Sequence, residues 1–337
     1  MDIVFTYVDG SNPSWAAAHS AATGKPVNDI RCLDHGELVL AARLLKRHCA
    51  WLQTVHIVYA GDGVAEATLA ELEQLFGPQQ LHLVSQDELL PWPTFSSCVV
   101  EAHLHLIPGL SDVFLYCNDD MFIGRPLHLR DLLHADGRPW IDMSEVAHGA
   151  ATNLAQEHSD NAYRLFRGVF PRHATPRVHV SHFASIMVTQ ACREAWSLFG
   201  DALLRSMQSL VRTRASINFQ LLAGLVAVAS GLAHRRTRMH RQGMAWAMLE
   251  MEQEGLQFVL AQMPHHFCIN GVNAENQTRF QAFARAYVSR CGTYPPITRW
   301  SWSSEAFHAH DRQWLCKGDD RRTAGDAPPG RTSSPRR

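Results

Sequence analysis

Short apolar runs alternate along the first third of the chain with stretches whose apolar positions recur every three or four residues. The short runs, Ile3 to Val8, Thr54 to Tyr59, Leu81 to Val84 and Val113 to Cys117, read as buried strands. Between the first two, Glu37 to His48 keeps apolar residues on one side and Arg43, Lys46 and Arg47 on another, as an amphipathic helix does. Glu66 to Phe76 reads the same way. Strands alternating with helices predict an α/β fold, a mostly parallel, Rossmann-like or GT-A-like sheet flanked by helices. From about Ser185 the pattern turns helical with few strand candidates. The expected organisation is therefore an α/β core over 1–184, a helical C-terminal subdomain over 185–316 and a tail over 317–337. The tail is rich in Gly, Pro, Ser, Asp and Arg, has almost nothing to bury, and is expected to be disordered. Ile217 to Ala233 is mostly aliphatic but short for a membrane span and holds Asn218 and Gln220, so it reads as a buried core helix.

Composition narrows the function. At 46% hydrophobic and 19% charged residues the chain can bury a full core. A formal net charge of −1 argues against the clustered basic surface that nucleic acid demands. The 20 histidines are mostly isolated, and no His/Cys group has zinc-ligand spacing. The eight cysteines are scattered without a C-x-x-C pair, which fits reduced thiols and a cytoplasmic address. Met1 to Val8 already reads as a strand, so no signal peptide is expected.

Candidate chemistry concentrates in Phe114-Leu-Tyr-Cys-Asn-Asp-Asp-Met-Phe-Ile-Gly124. Asn118, Asp119 and Asp120 stand where a buried strand emerges, the end at which open α/β sheets bind ligands. Adjacent carboxylates repel unless a positive charge compensates them, and Mg²⁺ or Mn²⁺ with all-oxygen ligands would do so. A solvated acidic turn is the equal alternative on this stretch alone. The first strand runs into Asp9-Gly10-Ser11, a tight turn whose backbone amides suit a nucleotide, or an ordinary turn with a side-chain cap.

Four ordered regions spanning most of residues 2–271 resemble the Stealth family. These are bacterial capsule and exopolysaccharide hexose-phosphate transferases related to the animal N-acetylglucosamine-1-phosphotransferase. The first region is Asp2-Ile-Val-Phe-Thr-Tyr-Val-Asp-Gly-Ser-Asn-Pro-Ser-Trp15. The second begins at Arg31-Cys-Leu-Asp-His-Gly-Glu-Leu38 and passes through Arg43, Trp51, Leu90 to Ser97 and Glu101 to Ser111. It ends in Asn118-Asp-Asp-Met-Phe-Ile-Gly-Arg-Pro126. The third is His179-Val-Ser-His182 followed by Arg212-Thr-Arg-Ala-Ser-Ile-Asn218, and the fourth is Phe267-Cys-Ile-Asn270.

The resemblance implies transfer of a sugar 1-phosphate from a nucleotide-sugar donor to a glycan hydroxyl, with release of a nucleoside monophosphate. It implies that Asp119 and Asp120 hold the metal, that Arg212 steadies the diphosphate, and that His179 takes the acceptor's proton. His182 is the alternative base or a metal ligand. Asp9, Gly10, Ser11, Asp34, Glu37, Arg43 and Asn270 are the remaining candidates for binding donor or acceptor. Asp34 and Glu37 equally fit a helix-entry capping box, and for Arg43, a candidate phosphate partner, the alternative is a surface helix charge. Glu101, His103 and His105 are expected to build the wall of the site. The chain departs from the family pattern at Ser216 and Gly271, where carboxylates are usual, and at His35 and Asn12. Two other readings stay open: a GT-A-type glycosyltransferase releasing a nucleoside diphosphate, and a non-catalytic glycan-binding module. A polymer that is later exported is usually made at the inner face of the membrane, so peripheral attachment there is compatible with the sequence.

Overall fold

In the computed structural model the described residues are 1–27, 32–145, 151, 153–173, 176–180, 182–237, 246–250 and 253–292. The tail over 317–337, Arg31, Ser181 and Cys316 lie outside them. The strands, in chain order, are β1 (Asp2–Tyr7), β2 (Val55–Tyr59), β3 (Leu81–Ser85), β4 (Val113–Asn118), β5 (Met121–Ile123) and β6 (Trp140–Asp142). They continue with β7 (Ser144–Glu145), β8 (Val178–His179), β9 (Ser185–Val188), β10 (His234–Arg236), β11 (Trp246–Glu250) and β12 (His266–Asn270). The helices are α1 (Pro13–Thr23), α2 (Glu37–His48), α3 (Glu66–Phe76), α4 (Gln86–Leu89), α5 (Ser97–His103) and α6 (Leu129–Leu132). After these come α7 (Leu154–Val169), α8 (Thr189–Ser206), α9 (Phe219–Ala229), α10 (Gln253–Gln262) and α11 (Gln277–Cys291).

The central sheet has the order β3-β2-β1-β4-β9. Its first four strands are parallel and β9 is antiparallel to β4. Alternation along β1 sets the two faces of the core. Ile3, Phe5 and Tyr7 pack into a cluster with α2, β5, β12 and α11, whereas Val4 joins Val58, Val84, Phe114 and Tyr116 under α5, α8 and α9. With helices on both faces, the strands are buried on both sides, as mostly parallel sheets are. The predicted segment Ile217 to Ala233 contains α9, which is buried through Phe219, Leu221 to Ala227. Among the described residues no helix is long and apolar enough to cross a membrane, and none of the described cysteines forms a disulfide.

The stretch after Ser185 is less uniformly helical than its pattern suggests, because β9, β10, β11 and β12 also lie there. β12 is flanked by β11, parallel, and β5, antiparallel, in a second, three-stranded sheet. These strands are short, and two of them carry His or Arg at their starts, so they lack a clear period-two pattern. All described residues belong to one compact unit, Met1–Arg299.

Candidate active site

β1 and β4 run parallel with Thr6 beside Asn118, so Asp9 and the Asn118–Asp120 turn emerge at the same end of the sheet. Two antiparallel pairings deliver distant residues to that end. β9 pairs Ser185 with Tyr116, so the chain just before β9, carrying His182, lies beside the carboxyl end of β4. β12 pairs Cys268 with Met121, and Ile269 N donates to Asp120 O at 3.3 Å.

Asp120 is the hub. His182 Nε2 lies 3.7 Å from its Oδ2, and the Cys268 thiol donates to the same oxygen at 3.3 Å. Its Oδ1 is buried without a hydrogen-bond partner. Burial, then the charge of Asp120, push the Cys268 thiol well above its ordinary range. It therefore stands as an S–H donor and not as a thiolate. Cys268 also points to Asn270 Oδ1 at 3.6 Å.

Asn118 completes the floor. Its Oδ1 accepts from Tyr116 OH at 2.5 Å and Thr6 Oγ1 at 3.3 Å, and its Nδ2 faces His182 Nε2 at 3.4 Å. An amide nitrogen only donates, so this contact needs Nε2 unprotonated, whereas the Asp120 pair needs it protonated. The His182 imidazole therefore has a partner in either protonation state. Its side chain is 36% exposed and so open to solvent.

Four carboxylates share the region. Burial, then the charges of Asp120, Glu37 and Asp34, push the Asp119 carboxyl well above the usual range. Glu37, buried at the start of α2, is pushed up to about 8 by burial, with Asp34 and Asp120 adding to the effect. Asp34 and Glu37 do not form the reciprocal capping box, because Gly36 is the N-cap. Instead Asp34 Oδ1 accepts from Gly36 N at 2.9 Å and Glu37 Oε2 from His35 N at 2.6 Å. Asp34 Oδ2 is held by Tyr7 OH at 2.9 Å and Thr68 Oγ1 at 3.2 Å.

These carboxylates fit a hard divalent cation. Acceptor-only side chains crowd together, two of them are driven toward protonation, and a buried oxygen of Asp120 lacks a donor.

The other sequence candidates are placed as follows. The Asp9-Gly10-Ser11 turn closes on itself: Gly10 N donates to Cys32 O, Ser11 N to Asp9 Oδ1 at 2.9 Å and Asn12 N to Asp9 O at 3.0 Å. The amides expected to cradle a nucleotide are thus already occupied, since the Asp9 side chain and the residue 32 backbone are nearer acceptors. Trp15 is buried, stacked on His19 and edge-on to Phe95. Arg43 lies on the exposed side of α2, paired with Glu71 at 2.6 Å.

His179 stands on β8 opposite Ser144. Arg212 is exposed between α8 and α9, where its charge opposes the upward push that burial exerts on Glu101. Tyr116 OH lies 3.4 Å from Glu101 Oε1, linking that carboxyl to Asn118. His103 and His105 are buried. Sequence reasoning did not single out Cys268, Tyr116 or Thr6. Their signal is positional, being strand residues that face the Asn118–Asp120 turn, and it appears only once strand pairing is known.

The departures from the family pattern have local reasons. Ser216 is buried and its Oγ accepts from Thr213 N at 3.0 Å, closing the turn before α9. Gly271 has φ of 77°, a left-handed conformation that glycine adopts without strain. Asn12 caps α1 by accepting from Ser14 N and Trp15 N.

Stretches of this chain are similar to known proteins. The family model described as Stealth protein CR2, conserved region 2, matches residues 31–141. The capsular polysaccharide phosphotransferase cps1A of Actinobacillus pleuropneumoniae is 31% identical over 237 residues, covering 65% of this chain and 62% of that protein. The capsular polysaccharide phosphotransferase LcbA of Neisseria meningitidis is 24% identical over 299 residues, covering 82% of this chain and 79% of its own. Among solved structures, galactosyltransferase LgtC in complex with donor and acceptor sugar analogs aligns with a TM-score of 0.45 at 13% identity, covering 89% of this chain and 98% of that one. The chain spans 62% and 61% of the length of the two Actinobacillus pleuropneumoniae relatives.

Proposed function

The chain belongs to the Stealth family, and from that premise we propose that it transfers a sugar 1-phosphate from a nucleotide-sugar to a glycan hydroxyl. The acceptor oxygen attacks the phosphorus next to the sugar, the bond to the bridging oxygen breaks, and a nucleoside monophosphate leaves. The product is a phosphodiester within a capsular or extracellular polysaccharide. The relatives' description as capsular polysaccharide phosphotransferases supports the reaction class. The observation that carries the reading is the gathering of Asp34, Glu37, Asp119 and Asp120 beside His182, with one Asp120 oxygen buried and unpartnered.

Asp119 and Asp120 would hold Mg²⁺ or Mn²⁺, which when bound neutralises charge on the diphosphate oxygens. Asn118 positions His182, whose Nε2 takes the proton from the attacking hydroxyl and shares it with Asp120. His182, which contacts both residues, is better supported as the base than His179, the residue that the family pattern prefers. Asn270, whose Oδ1 faces the Cys268 thiol at 3.6 Å, orients the donor, while Arg212 adds a forked positive charge for the phosphates. Catalysis without the usual carboxylates at 216 and 271 is consistent with the acidic cluster being built on α2 and the β4 turn. We place the enzyme at the inner face of the membrane, where polymer for export is assembled.

The test is product analysis. Purified protein with Mg²⁺ or Mn²⁺ and a panel of nucleotide-sugars should release nucleoside monophosphate and leave phosphate in the glycan. Release of nucleoside diphosphate, with no phosphate in the glycan, would replace this reading with ordinary glycosyl transfer.

A further inference from the structure

Outside this site, His134, Asp136 and His234 bring three ligand atoms within 4.8 Å of one another. We propose that they form a second metal site, for a borderline divalent ion such as Zn²⁺, that clips the turn at residues 134–138 to β10. The inference does not depend on the reaction above.

The donor set is the first argument. Two imidazole nitrogens and a carboxylate oxygen suit Zn²⁺, Cu²⁺ or Ni²⁺ better than the hard ions that all-oxygen sites select. His134 Nδ1 lies 2.9 Å from Asp136 Oδ1, and His234 Nε2 lies 2.8 Å from Asp136 Oδ2. Ligands about 2.0–2.1 Å from a tetrahedral zinc stand roughly 3.3 Å apart. Small side-chain shifts therefore convert the cluster into a three-ligand site with water in the fourth position.

The surroundings are the second argument, because they fix each ligand. Asp136 is oriented by Arg138, whose Nε and Nη2 donate to Oδ2 at 3.0 and 2.6 Å and whose Nη1 donates to Gly231 O at 3.0 Å. An arginine that donates to a ligating carboxylate and fixes its orientation is the sort of supporting contact that metal sites use. Both imidazoles pack on Trp140, with ring centroids 5.0 Å away for His134 and 5.4 Å for His234. The backbone is fixed too. His134 N donates to Arg138 O and Gly137 N to His134 O, while His234 pairs with Trp140 in the β6–β10 ladder. The side chains are 27–37% exposed, so an ion enters from solvent without opening the fold.

Asp136 and His234 are 98 apart in sequence, so the spacing rules that found no zinc motif could not register the cluster. A cross-link over such a separation ties the turn to a strand that arrives after α9.

The test uses full-length protein, saturated with Zn²⁺ and then dialysed. Zinc content is measured by mass spectrometry and thermal unfolding is followed with and without the ion. His134→Asn and His234→Gln keep a donor for Asp136 while removing a ligating imidazole, so the fold is retained. Each variant should hold one zinc per chain fewer than the wild type and lose the zinc-dependent rise in Tm. Transferase turnover, measured with the proposed Mg²⁺ or Mn²⁺, should be unchanged. Should a variant fail circular-dichroism checks, Co²⁺-loaded wild-type protein decides. A four-coordinate cobalt spectrum that Asp136→Asn abolishes supports the site. Equal zinc content in wild type and variants, or a cobalt spectrum indifferent to Asp136→Asn, overturns it.

Discussion

Asp120 meets a thiol, an imidazole and nothing at its second oxygen, and that unevenness makes it the residue most open to test. Asp120→Asn keeps the shape and removes the charge. We expect kcat to fall about 10²–10³-fold, the cost of deleting one aligned electrostatic partner, with an unchanged circular-dichroism spectrum. For His182→Gln the expected loss in kcat is about 10²–10⁴-fold with donor KM preserved. His179→Gln measured beside it decides which imidazole is the base, because only that one should flatten the acid limb of the pH–rate profile.

Glu37 links the site to stability. Its folded value of about 8 lies above the ordinary 4.5, so the folded protein holds an extra proton between those limits. Stability therefore falls as pH rises through that window. In chelator-treated protein Tm should drop between about pH 5 and 8, and Glu37→Gln should shallow the slope. An equally steep slope in the variant would mean that another group carries it.

At the level of elements, β1 to β4, α2 and α3 were legible because each has a complete hydrophobic period of its own. Predicted and observed boundaries differ by one residue at most, as between Ile3 to Val8 and Asp2–Tyr7. The acidic turn was legible for the same reason, since a long apolar run fixes where β4 must end. The second sheet was not. β5 has three residues, and its meaning depends on pairing with β12, whose Cys268 lies 148 positions from Asp120. The contact of His182 with Asp120 was hidden likewise, because it follows from the reversed direction of β9.

The β5–β12 junction offers its own test. A Cβ placed on Gly124 would come 2.2 Å from Pro264 O and 2.3 Å from Tyr287 OH. Gly124→Ala should cost about 1–3 kcal/mol by overpacking, read as a lower urea midpoint. Transferase activity should fall more than stability does, because the same strands seat Asp120 and Cys268.

For the molecule as a whole, the acidic cluster implies coupling between ion binding and fold. Four carboxylates from α2, its approach and the β4 turn repel one another, and the proposed divalent cation would offset that repulsion only when the elements are assembled. Adding Mg²⁺ or Mn²⁺ to chelator-treated protein should raise Tm in the wild type, and by much less in the Asp119→Asn, Asp120→Asn double variant. Equal rises in both proteins would locate the ion elsewhere.

The reversed strand β9 also has a kinetic side. The parallel strands β1 to β4 lie within the first 118 residues and can condense early, whereas His182 and Cys268 are threaded alongside Asp120 only after long loops have closed. A refolding chain should thus regain most of its far-ultraviolet ellipticity before it regains affinity for donor, and a delay between the two traces would time the arrival of its last pieces.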